Sequence, residues 1–328
     1  MIRLIRVLLL TCSISCQSGL VLSQLEPKNI CISSDSQENS LRQSDLTKDR
    51  SRKVRWAIIT LARPGRTDAE MKMRNENLIM KLKPYSHSHN ITVIFFSELI
   101  FDDRVVADLE DDFKDVGSVR FIDTSANRYQ GPESFGYKYM CKFFAVDVYE
   151  YLKNDYDYYM RCDTDCYLQE LNYDILQWTV DNEVGYAFAM RKIEAHRETR
   201  VNLPFWTEKY MGKCDIRPTA VMDVPLSTCF NFYNNFHIGN VAFFTRPDVQ
   251  HFLRAVNASG HILSSRWGDS TIQAYAVRLF MNPAAIVQIP EFSYIHGSHS
   301  NRLVSTFGDG HLTSVPQRLP NWKHEVSS

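Results

Sequence analysis

Two carboxylates one residue apart, Asp163 and Asp165, close a short apolar and aromatic run from Tyr156 to Met160. In an extended segment, residues two apart point to the same side, so both carboxylates could reach one ion while Thr164 turns away. Hard divalent cations take such oxygen ligands and complete an octahedron with the oxygens of a diphosphate. The C-terminal end of a buried strand is where α/β proteins place groups of this kind over a bound phosphate. A solvated acidic loop carries the same letters, but the apolar run in front of the pair favours the strand end.

Other residues could complete such a site. His296 in Tyr294-Ile295-His296-Gly297 follows the last predicted strand and is a further metal ligand, a phosphate contact or a surface histidine. Arg266-Trp267-Gly268-Asp269 opens a predicted helix, where Asp269 either caps the helix or serves a substrate hydroxyl as acceptor or base. Asn235-Phe236-His237-Ile238-Gly239-Asn240 places polar side chains inside an apolar, strand-like stretch. Buried polar groups need partners, so this cluster reads as a lined pocket or as a satisfied core histidine.

The elements that must position these residues follow from pattern. Val54–Leu61, Ile91–Phe96 and Ser118–Ile122 are β-branched or apolar runs of strand length. Thr67-Asp68-Ala69-Glu70 has capping-box spacing and predicts a helix to about Lys83. Tyr137–Leu152 is apolar at Met140, Phe143, Phe144 and Val148, close to helical spacing, and leads directly into the run before the acidic pair. Strands alternating with helices predict parallel pairing with crossover helices, which puts the pair after about the fourth strand of a nucleotide-binding-type sheet. Beyond it, the pattern predicts a helix at Asp174–Asn182, a strand at Gly185–Ala189 and a less regular region to Thr228. Then come a strand-like Cys229–Phe244, helices from Pro247 to about Val256 and over Asp269–Phe280, a strand at Ala285–Ile289 and an irregular tail from Phe307.

The chain has 328 residues, 44% hydrophobic and 23% charged, with a formal net charge of −1 and no basic run that would suggest nucleic acid. Arg3 and Arg6 precede an apolar stretch, so residues 1–25 read as a signal peptide or a signal anchor. Ser13, Ser15, Gln17 and Ser18 weaken it as a span, which needs roughly 20 mostly apolar residues. Residues 26–52 are polar and read as a stem, and 53–328 as one folded unit. Either leader places the rest in the secretory pathway, where some of the eight cysteines are expected to pair. Cys162 and Cys166 would lie roughly 13 Å apart on a straight strand, too far to bond. CxxC zinc spacing is absent.

Taken together, several segments stand in the order and rough spacing of one family. They are Tyr137-Lys138-Tyr139-Met140-Cys141, Tyr156-Asp157-Tyr158-Tyr159 with Arg161 and the acidic pair, Cys229 with Asn235-Phe236, Arg266-Trp267-Gly268-Asp269, and Tyr294-Ile295-His296. Over about residues 53 to 300 the chain resembles the fungal-type α-1,2-mannosyltransferases, glycosyltransferase family 15. The resemblance implies an α/β fold of GT-A type, with a Rossmann-like, mostly parallel sheet and flanking helices. It implies a type II membrane enzyme of the Golgi that moves mannose from GDP-mannose to a mannose-containing glycan in an α-1,2 linkage, with retention, using Mn2+. Carried over by position, Asp163, Asp165 and His296 would hold the ion. Tyr137, Arg161, Asp163, Asn235 and Arg266 would meet donor or substrate, and His237 and Asp269 would stand at the catalytic positions. Alternatives are a transferase using another sugar nucleotide, or a non-catalytic glycan-binding relative.

Three departures accompany the resemblance. The family writes its acidic pair Glu-Pro-Asp, where this chain has Asp163-Thr164-Asp165. The segment after the pair is about one residue shorter. The family carries a glutamate, its proposed nucleophile, where this chain has His237, and a neutral imidazole is a poor substitute for a carboxylate beside a sugar cation. Retention without a protein nucleophile, another carboxylate such as Asp269, or a changed activity would each account for it.

Overall fold

A computed structural model describes residues 52–65, 68–125, 136–220, 224–297 and 302–305. The leader, nearly all of the stem, Thr67 of the capping box and the tail from Phe307 lie outside the described residues.

The elements run in the order β1 (Arg55–Leu61), α1 (Asp68–Leu82), β2 (Asn90–Ser97), α2 (Asp103–Phe113), β3 (Ser118–Asp123), α3 (Gly136–Lys142), α4 (Val148–Leu152), β4 (Tyr158–Cys162) and β5 (Cys166–Glu170). They continue with α5 (Ile175–Asp181), β6 (Tyr186–Phe188), β7 (Arg191–Ile193), α6 (Arg197–Cys214), β8 (Phe230–Phe232), β9 (Phe236–Asn240), α7 (Val241–Phe244) and α8 (Pro247–Ala258). The last are α9 (His261–Ser264), α10 (Asp269–Phe280), β10 (Ile286–Gln288), β11 (Ser293–His296) and β12 (Arg302–Ser305).

Seven strands form one sheet in the order β10-β6-β9-β4-β1-β2-β3. β1 pairs in parallel with β2 and β4, β2 with β3, and β6 with β10, while β9 runs antiparallel between β4 and β6. The parallel half obeys its sequence. β1 and β2 are almost wholly buried, as strands covered by helices on both faces must be, and they read as continuous apolar runs without alternation. β4 leaves the centre of this sheet and delivers the acidic pair just beyond its end. A second sheet, β12-β11-β5, starts immediately after the pair and brings His296 back beside Cys166.

Helix α1 covers the exposed edge of β5 by mimicking a strand. The Asn77 side chain donates to the carbonyl of Leu168 at 2.9 Å and accepts from its N–H at 2.7 Å. Between α3 and α4, residues Phe143–Asp147 make a π-helical turn. Its buried Phe144 lies directly beneath the Arg161 guanidinium, 3.5 Å from the ring centroid.

The structure changes two expectations at this level. The region expected to be irregular contains the 18-residue helix α6, which holds Pro204 in its interior and has no regular apolar period to announce it. Cys229–Phe244 is two strands and a helical turn, broken at Tyr233-Asn234-Asn235.

Candidate active site

The chain does not stay extended through the acidic pair. β4 ends at Cys162, and Cys166 N donates to Asp163 O at 3.1 Å, closing a tight turn over Asp163-Thr164-Asp165. The straight-strand estimate for Cys162 and Cys166 therefore does not apply. Both thiols are free and buried, as are Cys141 and Cys229, whereas Cys214 is disulfide-bonded.

Within the turn the two carboxylates take different partners. Asp163 accepts from Arg161 Nε at 2.7 Å and Nη2 at 3.0 Å, a bidentate fork, and from Asn235 Nδ2 at 3.2 Å. Burial nevertheless holds its acidity below that of an ordinary aspartate, against the opposing pull of Arg161. Asp165 Oδ2 lies 2.9 Å from His296 Nε2, and its carbonyl accepts from Gly297 N at 2.8 Å. Asn235 stands between the halves, its amide also 3.2 Å from His296 Nε2. Residues 163, 165, 235 and 296, remote in sequence, thus meet beyond the end of β4.

Arg161 extends this cluster inward. Its Nη1 donates to Asp269 Oδ2 at 2.5 Å, so one buried guanidinium is spent on two carboxylates. Asp269 also accepts from Asn234 Nδ2 at 2.7 Å. Gly268, not Asp269, is the cap of α10, and the Asp269 side chain turns into the protein at the positive end of the helix. At the rim, the Arg266 guanidinium lies 4.7 Å from the centroid of the half-exposed Tyr137 ring. Arg266 holds a left-handed φ of 55°, a conformation that costs a non-glycine residue and clusters at ligand-binding sites. The Tyr137 phenol faces Cys141 and Asp269, and burial pushes its pKa up.

His237 occupies a different environment. It lies on β9 directly opposite Arg161 on β4 and is 1% exposed. Its Nδ1–H donates to the Asn234 carbonyl and its Nε2 accepts from the Tyr159 hydroxyl, both at 3.1 Å, which uses a neutral imidazole completely. The Tyr159 ring reaches it across Gly239, where a Cβ would stand 2.5 Å from that ring. Gln273 Nε2 donates to Tyr149 OH at 3.0 Å, Tyr149 meets Tyr159, and Asn234 closes the ring at 3.3 Å from Gln273 Oε1. Every donor in this buried ring has an acceptor, so it is rigid and costly to break.

Burial, helped by the Arg161 charge, pushes His237 down to about 3. The unfolded chain takes up this proton near pH 6.5 and the folded chain does not, so stability falls as pH drops from about 6.5 toward 3. The expected slope from this one group is about 1.4 kcal/mol per pH unit. Denaturant titrations at pH 7 and pH 5 should show the difference in wild type, and His237→Gln should remove most of it.

The Asp165–His296 pair suits a hard divalent cation. Neighbouring ligands on an octahedron with bonds of about 2.1 Å stand roughly 3 Å apart, close to the 2.9 Å observed. Among the described residues no group of three histidine, cysteine, aspartate or glutamate side chains forms a closed cage. A site of one or two protein ligands leaves the remaining positions to diphosphate oxygens and water. Tyr233 OH lies 2.7 Å from His296 Nδ1; with the hydroxyl accepting from Nδ1–H, the Nε2 lone pair would be free for an ion shared with Asp165. Neither Tyr233 nor Asn234 was singled out by sequence. The signal available was three consecutive polar residues interrupting an apolar run. Tyr233→Phe is expected to weaken Mn2+ binding by about 10- to 100-fold, read by EPR titration.

Comparison with known proteins adds a family context. A family model described as glycolipid 2-alpha-mannosyltransferase matches residues 112–304, more than half of the chain. Glycolipid 2-alpha-mannosyltransferase 1 of Candida albicans is 28% identical over 179 residues, covering 51% of this chain and 41% of that protein. Alpha-1,2 mannosyltransferase KTR1 of Saccharomyces cerevisiae is 26% identical over 175 residues, covering 50% and 44%. The matched part of this chain therefore spans less than half the length of these relatives. Among solved structures, core-mannan synthase A of Aspergillus fumigatus in its Mn/GDP form superposes with a TM-score of 0.66 at 17% identity, covering 82% of this chain and 80% of that one. The mannosyltransferase Ktr4p of S. cerevisiae gives 0.62 at 17% identity, covering 93% and 92%. These likenesses show the shared GT-A fold.

Proposed function

The chain belongs to the glycolipid 2-alpha-mannosyltransferase family, and from that premise we propose that it transfers mannose from GDP-mannose to a mannose on a glycan, forming an α-1,2 linkage with retention. The observation that carries this reading is the meeting of Asp163, Asp165, Asn235 and His296 beyond β4, inside the family-matched segment.

Asp165 and His296 would hold a divalent ion, with Mn2+ the expected one, and Tyr233 would fix the histidine. The ion, when bound, neutralises the departing diphosphate. Asp163 is held by Arg161 and Asn235, so its position is set before substrate arrives. Arg161 is fully engaged with carboxylates, so its part is to fix Asp163 and Asp269 and not to meet the diphosphate itself. Asp269 and Tyr137, with Arg266 beside them, stand where the sugar or acceptor would lie. His237 is buried and satisfied, so no group at that position attacks the sugar. Retention then proceeds with the leaving diphosphate deprotonating the acceptor on the same face.

The leader reading and the disulfide at Cys214 support a place in the secretory pathway, in the Golgi lumen as a type II protein. Incubation with a panel of sugar nucleotides, Mn2+ and mannose-terminated acceptors tests the function. Turnover of GDP-mannose alone, with an α-1,2 linkage read by NMR, is expected. Preferred turnover of another donor, or glycan binding without turnover of any donor, would overturn it.

A further inference from the structure

Between β7 and α6 lies a stretch that the proposed chemistry does not use, and Glu194 opens it. Its carboxylate Oε1 accepts from His196 N at 2.8 Å, while Oε2 accepts from Asn231 Nδ2 at 3.1 Å and from Thr271 Oγ1 at 2.7 Å. Asn231 belongs to β8, just ahead of Asn234, and Thr271 to α10, just after Asp269. Glu194 thus ties together, from outside, the two parts of the chain that the Asn234–Asp269 bond ties together inside the site. Thr271 is fully buried, so its hydroxyl has no solvent to turn to if Glu194 is lost.

Thr199, in the first turn of α6, makes a second contact of the same kind. It is fully buried, and its Oγ1 donates to the Arg266 carbonyl at 3.1 Å. Arg266 is the residue with the left-handed φ of 55°, and such a conformation persists only where the surroundings over-determine it. Between the two contacts, Trp267 is buried against Trp206 of α6, with ring centroids 5.7 Å apart. Residues 266–271, which include Asp269, are therefore gripped at both ends and near the middle by one continuous segment, 194–206. Gly268 caps α10 with no side-chain bond, so the start of that helix depends on contacts from outside it.

We infer that Glu194 and Thr199 are positioning residues, a clasp that sets Arg266 and Asp269 for the acceptor and the sugar. Thr199 acts through Arg266, which is exposed at the rim, and so governs binding. Glu194 acts through Asp269, which is 3% exposed and held by Arg161, and so governs the reacting geometry. The inference rests on the transferase reading.

The test is steady-state kinetics with GDP-mannose and a mannose-terminated acceptor, with hydrogen exchange over residues 266–271 as a second readout. Rates are counted per GDP-binding site, so that unfolded protein does not enter. Thr199→Val keeps the shape and removes the donor, so acceptor KM should rise about tenfold with kcat within about twofold of wild type. Thr199→Ser, which keeps the hydroxyl, should restore KM. In an Arg266→Ala background, Thr199→Val should add nothing, whereas a threonine that only stabilises the fold would add its full effect. Glu194→Gln has one acceptor oxygen in place of two and cannot serve His196 on one side and Asn231 and Thr271 on the other. Its kcat should fall about tenfold with KM little changed. Thr271→Val breaks the same contact from α10 and should give the same loss, which decides the matter if Glu194→Gln does not fold. Wild-type KM in Thr199→Val, or wild-type kcat in Thr271→Val, would overturn the inference. A wild type that turns over no donor fails the transferase reading instead. Exchange then decides, and residues 266–271 as protected in the variants as in wild type would overturn the clasp.

Discussion

Replacing Asp163 and Asp165 together by alanine is expected to lower mannosyl turnover by about three orders of magnitude or more, the loss of several kcal/mol of charge stabilisation at the leaving diphosphate. The two positions should fail for different reasons. Asp165→Ala removes a metal ligand, so raising Mn2+ should recover part of the activity. Asp163→Ala removes the carboxylate that Arg161 grips by its fork, so excess metal should recover little. Steady-state kinetics over a range of Mn2+ concentrations separates the two. Unchanged turnover in the double variant would sink the metal assignment.

The second large effect is expected at Arg161, and in stability first. Arg161→Met is close in volume but takes away the cation shared by the buried Asp269 and the partly exposed Asp163. Breaking a buried ion pair from one side costs about 3–5 kcal/mol. The pH dependence has a defined sign. Uncompensated buried carboxylates have folded pKa values above their unfolded ones, so their penalty is absent at low pH and opens as pH rises through the carboxylate range. Urea denaturation at pH 4 and pH 7.5 should therefore show a smaller deficit for Arg161→Met at the lower pH. Arg161→Lys should recover only part of the loss, since an ammonium cannot serve Asp163 bidentately and Asp269 at once. A variant that is as stable as wild type at pH 7.5 would show that the bridge between β4 and α10 carries little.

The parallel half of the fold was readable because buried strands and amphipathic helices leave local signatures. β1, β2 and β3 fall within a residue or two of their expected bounds, and α10 agrees with its expected bounds. The acidic pair was placed correctly after the fourth strand, but its backbone was not. Asp-Thr-Asp is a turn-forming composition, and that local preference overrode the extended reading drawn from the run before it. Helix α6 escaped because Pro204 and scattered polar residues break its period, while Trp206 and Tyr210 still bury it through tertiary packing. The Arg161–Asp269 bridge joins residues 108 positions apart, a distance no local pattern spans. His237 shows the same limit from the other side. Its letters allowed a pocket or a satisfied core residue, and the choice was made by Tyr159, 78 residues away on the neighbouring strand.

The π-helical turn at Phe143–Asp147 sets a phase relation within one continuous helical segment. Upstream of it, Tyr137 and Met140 face the rim and Arg161, and downstream Tyr149 anchors the buried ring around His237. A wide turn of this kind holds one residue more than an α-helical turn, and each residue advances a helix by about 100°. Deleting Ala145 would let the segment relax to a regular helix and swing one half by about that angle against the other. Either Tyr137 would leave Arg266 or Tyr149 would leave Gln273. A single residue thus works as a key between the open part of the site and its floor, and lineages that lost it would have to rebuild both.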